Sequence, residues 1–248
     1  MKKIDKKKIL TYILTGICII GVVYSLLKII EWKINTEKNK EIKEITQEAV
    51  TVIGNTPEEK KYIVDFQKLK EQNSDTVGYL KVNNTNVEYV VVKGKDNEFY
   101  LNHNFNKEYN VGGWIFADYK NNFDGTDKNI VIYGHNMQDG SMFASLKEIL
   151  TGEWQNNTNK QIKLVTEQGT ITYQIFSSYT IEAEDYYITT HFQNDEAFKN
   201  FINTVSNRTY YNYNVDVNET DNVLTLSTCT GTGKNRIVIH AKQISIEN

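Results

Sequence analysis

The chain has 248 residues, 40% hydrophobic and 24% charged, with 28 Lys and Arg against 31 Asp and Glu for a formal charge of -3. That is material for one globular domain plus an appendage, and with no basic run beyond the extreme N-terminus it offers no face for a nucleic acid. Sixteen Tyr and ten Phe against one Pro point to a β-rich core, because aromatic side chains suit pleated, half-buried surfaces.

Lys2, Lys3, Lys6, Lys7 and Lys8 precede an uncharged stretch over residues 9–27, ILTYILTGICIIGVVYSLL. As a helix it covers roughly 28 Å at about 1.5 Å per residue, close to the thickness of a bilayer's hydrocarbon core. Beyond it Lys28, Glu31 and Lys33 mix signs around Trp32. The positive-inside rule therefore puts residues 1–8 in the cytoplasm and the remainder outside. A cleaved signal peptide starts similarly, but its apolar stretch is shorter and ends in a small-residue site, and no A-x-A pattern follows here. The expectation is an uncleaved, single-pass anchor in the cell membrane. Residues 28–55, rich in Glu, Lys, Asn and Thr, read as a solvated helical stalk, and residues 56–248 as an extracellular domain.

The domain opens on Thr56, Pro57, Glu58 and Glu59, a capping hydroxyl followed by Pro and two carboxylates, which predicts a helix carrying Ile63, Phe66 and Leu69 on one stripe. Short β-like runs follow at 77–82, 86–92, 113–117, 129–134, 161–166, 170–179, 222–229 and 236–242. Punctuated by Asn, Asp and Gly, they predict a closed or nearly closed antiparallel barrel that leaves no long edge unpaired. Two helices interrupt them. Residues 141–150 gather Met142, Phe143, Leu146, Ile149 and Leu150, and residues 195–207 gather Phe198, Phe201, Ile202 and Val205, each on one side.

Of the two cysteines, Cys18 falls in the apolar stretch, so it and Cys229 are not expected to pair. A lone thiol in an exported domain is either a small buried hydrophobe or a reactive group. In VLTLSTC, residues 223–229, period-two alternation puts Leu224 and Leu226 on one face and Thr225, Ser227 and Cys229 on the other. Cys229 also ends its strand, ahead of the polar run TGTGKN. Arg236 opens the next strand and shares parity with Val238 and His240. It is either a solvated surface charge or, if the two strands form a hairpin, a cation beside the thiol that stabilises thiolate and oxyanion. His135 stands at a strand exit, where catalytic side chains are often presented. His103, His191 and His240 read as surface or structural imidazoles, and no metal site is expected, since no pair among the histidines and Cys229 has close ligand spacing and a zinc site needs three or four donors.

YGHNM at 133–137, TLSTC at 225–229 and the Arg of RIVIHAK at 236–242, in that order, resemble the sortase family, and the likeness runs from about residue 60 to the C-terminus. Within the family the chain resembles class B, whose members carry N-terminal helices and a helix before the seventh strand. The resemblance implies a mainly β fold, a closed eight-stranded barrel with those helices, and a cysteine transpeptidase without cofactor. It implies that Cys229 attacks a Thr carbonyl in the C-terminal sorting motif of a surface protein, and that an amine of a peptidoglycan precursor resolves the thioester. His135 would be the acid and base, while Arg236 and the Thr230 N–H would hold the oxyanion. Tyr133 and Ser227 would flank the histidine and the thiol as pocket residues. Two alternatives use the same dyad: a peptidase with water as acceptor, and a pilin-polymerising sortase, which often has a second C-terminal span that is not expected here.

Overall fold

The computed structural model describes residues 6–54, 60–230 and 233–247. Helix α1, Lys6–Gln47, runs without a break through the apolar stretch and on to the domain. Its apolar part is long enough to cross a membrane, and none of it is buried in the protein. The stalk expectation changes in its second half. Asn39, Ile42, Thr46 and Ala49 are buried against the barrel, so residues 35–49 dock rather than hang in solvent.

Next comes a small hairpin, β1 (Val50–Ile53) with β2 (Lys61–Val64), antiparallel with Val50 opposite Val64. The helix expected from Pro57 lies partly outside the described residues, and Ile63, assigned to its stripe, belongs to β2. In KYIV the alternation of period two wins over the helical one: Tyr62 turns inward onto Tyr79, ring centroids 5.8 Å apart, and Ile63 turns out. Helix α2, Phe66–Gln72, starts only where Asp65 can cap it, its carboxylate accepting from the Lys68 N–H at 2.9 Å.

The barrel strands are β3 (Thr76–Val82), β4 (Glu88–Val92), β5 (Phe116–Ala117), β6 (Asn129–Tyr133), β7 (Gln161–Thr166), β8 (Gly169–Glu182), β9 (Val223–Cys229) and β10 (Asn235–Glu247). They close in the order β10-β8-β7-β3-β4-β5-β6-β9. The barrel is mixed: β4 with β5 and β6 with β9 are parallel. A parallel pair needs a long crossover, and both seams have one, through residues 93–115 and through everything between β6 and β9. Of the expected strand 113–117 only Phe116–Ala117 pairs, because Gly113 turns at φ +54°, where a Cβ would strike the Tyr100 and Leu101 carbonyls. The segment expected as a helix at 141–150 is a 3-10 turn, Ala144–Leu150. Helix α3, Asp195–Asn207, has the expected bounds and apolar face, capped by Asn194.

Two cores result. Leu80, Val90, Ile132, Leu164, Leu224, Leu226 and Ile239 fill the barrel. Outside its wall, α3 lays Phe198, Phe201, Ile202 and Val205 over Phe176, Tyr179, Tyr187 and Val238. Within this second core His240 is fully buried. Thr225 donates to Asn129 Oδ1 at 2.8 Å, so it accepts from His240 Nδ1–H at 2.9 Å, and Tyr179 OH donates to Nε2 at 2.9 Å.

Burial, aided by the Arg208 charge, pushes His240 down to about 3. Unfolded, the imidazole titrates near about 6.5, so the unfolded chain binds the extra proton. The stability held by neutral His240 is present in full above that pH and is lost as pH falls toward 3. Within the window the loss approaches about 1.4 kcal/mol per pH unit. His240→Gln should flatten this slope. Urea unfolding of both proteins between pH 4.5 and 7 tests it, and equal slopes would refute it.

Candidate active site

The β6–β9 parallel seam builds one wall of the site. Tyr133 pairs with Ser227, and the Gly134 N–H continues the seam to the Ser227 carbonyl at 3.3 Å. A Cβ on Gly134 would run into Ile115 and Phe143, which is why glycine stands between Tyr133 and His135. His135 then leaves the sheet, its carbonyl accepting from the Phe143 N–H at 2.8 Å. Its Nε2 lies 2.7 Å from the Leu101 carbonyl. A carbonyl only accepts, so Nε2 carries the proton and Nδ1 is the nitrogen left for proton exchange.

The β9–β10 hairpin builds the other wall. Cys229 and Arg236 stand directly opposite each other, as Ser227 and Val238 do two residues further in. Directly opposed residues have Cβ atoms about 4.5–5.5 Å apart on the same face, so thiol and guanidinium emerge side by side. Cys229 is a free, partly buried thiol. Arg236 Nη1 donates to the carbonyls of Gly233, at 2.7 Å, and Asn235, at 3.2 Å.

A cleft of about 320 Å³ joins the two walls, with His135, Cys229, Arg236, Tyr133 and Ser227 among its lining residues. Of the six expected site residues, five are thus brought together. Thr230 does not line the cleft, and its N–H donates to the Asn235 carbonyl at 2.8 Å. A larger groove of about 410 Å³ lies between β2 and the β7–β8 hairpin. Its lysines and glutamates are mixed, and it contains none of these groups.

Three further residues shape the cleft without any signal in the sequence. Asp118, buried just after β5, accepts from Tyr133 OH and Asn97 Nδ2, both at 2.8 Å, and so fixes two lining side chains. Burial first, and then the Asp118 charge, hold Tyr133 far above the ordinary phenol range, so it stays a neutral donor. Tyr187 OH lies 3.2 Å from Ser227 Oγ. Burial raises Tyr187 against the opposing effects of the Ser227 bond and the Arg236 charge. His103, stacked on Phe99, and His191, beside Thr190, lie outside the cleft.

A sortase-domain family model matches residues 80–244, which includes strands β4 to β9, most of β10 and all of the cleft's catalytic candidates. The chain belongs to the sortase family, class B. It is 38% identical over 186 residues to sortase B of Listeria monocytogenes, covering 73% of each chain. Sortase B of Clostridium perfringens superposes with a TM-score of 0.69 at 39% identity, covering 73% of this chain and all of that one. A sortase B crystallised in complex with triglycine superposes with the same TM-score at 34% identity, over 73% and 86% of the two chains. As a sortase, the protein is an enzyme, a cysteine transpeptidase.

Proposed function

We propose that this sortase cleaves a C-terminal sorting motif after Thr and passes the acyl group to an amine of a peptidoglycan precursor. What supports this most is the cross-strand pair Cys229–Arg236 opening into the cleft that also holds His135. Cys229 Sγ attacks the Thr carbonyl carbon, the carbonyl becomes an oxyanion, and its collapse forms the thioester as the amine leaves. His135 Nδ1 takes the proton that Cys229 Sγ gives up, delivers it to that leaving amine and later takes a proton from the incoming one. Arg236 and the Thr230 N–H stabilise the oxyanion. Both now serve the Asn235 carbonyl, so a charged oxyanion, the stronger acceptor, must draw them from it. Tyr133 and Ser227 line the substrate channel on either side.

An amine acceptor is supported by the triglycine complex of a relative. Membrane placement is supported by the exposed apolar part of α1 and the lysines before it, with the N-terminus cytoplasmic and the catalytic domain outside. Incubating the protein with a panel of sorting-motif peptides, with and without an amine acceptor, tests the reading by product mass. The expected product with acceptor is the acyl–amine adduct of one motif. Hydrolysed peptide alone, at the same rate with and without amine, would make the enzyme a peptidase.

A further inference from the structure

The apolar character of α1 does not stop at residue 27. Ile29, Ile30 and Ile34 remain 54–62% exposed, and Trp32 among them is also exposed. The barrel first takes hold of the helix at Asn35, whose carbonyl accepts from Asn110 Nδ2 at 2.9 Å. Lys38 pairs with Glu108 at 2.6 Å, and Asn39 Nδ2 donates to Asn110 Oδ1 and the Gly113 carbonyl at 3.1 and 3.2 Å. The helix is unbroken between span and dock. At about 1.5 Å per residue, Asn35 sits only ~12 Å beyond the expected end of the span, and a headgroup layer adds about 5–8 Å to each side of the hydrocarbon core.

The segment of the domain that takes hold of the helix just beyond the span is therefore the loop 101–113. Just past its turn at 104–108 it carries exposed Tyr109 and Val111. Tyr109 leans edge-on to His103, ring centroids 6.3 Å apart, and pairs with it across the loop in a β-bridge. Tyr109 also lies within electrostatic reach of Lys28 at the membrane end of the helix. Lys28 is raised mainly by its bond to Glu31, and Tyr109 is one of the groups adding to that.

We infer that Tyr109 and Val111, together with Trp32, form a bilayer-contact surface whose partner is the interfacial zone of the lipid. Aromatic side chains with a polar tip are favoured at that depth, and the isoleucines between span and dock are covered there. The contact rests on α1 being a membrane anchor, as proposed above. It links the lipid surface to the site: the same loop supplies the Leu101 carbonyl that holds His135 Nε2.

The test uses the full chain in phosphatidylcholine/phosphatidylglycerol vesicles. Tyr109→Trp is placed in a Trp32→Phe background, and the emission of the Trp32→Phe parent is subtracted. Lipid brominated near the glycerol end of its chains should quench this tryptophan more than lipid brominated near the chain ends. Ile20→Trp in the same background reports the anchor and should show the reverse order. Quenching at residue 20 with none at residue 109 overturns the contact and leaves the anchor standing. Quenching at neither overturns both.

Discussion

Cys229→Ala is expected to abolish both peptide cleavage and thioester formation while leaving the fold intact. The described residues hold two thiols, and the other, Cys18, lies exposed on α1 in the stretch proposed to cross the membrane. No second nucleophile can take over. Loss of a nucleophile that works with a general base costs about 10⁴-fold or more in turnover. The structural cost is small, because Cys229 ends β9 partly exposed and its loss opens no core cavity. Peptide turnover, acyl-enzyme mass and urea unfolding measure the three consequences separately. Residual cleavage within 100-fold of the native enzyme would remove Cys229 from the mechanism.

How far the sequence speaks for this protein depends on the range of the interaction concerned. VLTLSTC could be read for parity because alternation is local, and Leu224 and Leu226 do enter the barrel while Thr225 and Ser227 face the second core. Helix α3 was legible for the same reason, its Asn194 cap and apolar stripe lying within one segment. The parallel seams were not. Nothing near residues 129–133 says that their partner lies at 223–227. Asn35 and Asn39 look like solvated stalk residues until Asn110 and Gly113 are brought beside them across more than seventy positions. Asp118 is silent for the same reason: its importance lies in Tyr133 and Asn97, which reach it only in the fold. The bond from the Thr230 N–H to Asn235 is a property of the hairpin and could not be read from TGTGKN.

His135 and Arg236 should fail in different ways when replaced. Imidazole gives and takes a proton near neutral pH, whereas guanidinium stays charged and presents a planar fork of donors. His135→Ala should lower turnover about 10² to 10⁴-fold and flatten one limb of the pH profile, because the Nδ1 acid and base is gone. It also releases the Leu101 carbonyl, so peptide KM should shift as well, Leu101 being part of the cleft wall. Arg236→Lys keeps a positive charge opposite Cys229. Lysine, however, offers its donors from one nitrogen rather than from a planar fork, so it cannot keep one nitrogen on the Gly233 carbonyl while another meets an oxyanion. A loss of about 10² or more, as for a missing oxyanion donor, is expected, with the shape of the pH profile retained. Alkylation of Cys229 by iodoacetamide should persist in both variants, which separates lost catalysis from a lost fold. Near-native transpeptidation by Arg236→Lys would mean that charge alone suffices. The oxyanion would then be held by backbone N–H groups, and Thr230, once drawn off Asn235, is the one placed next to Cys229 to do it.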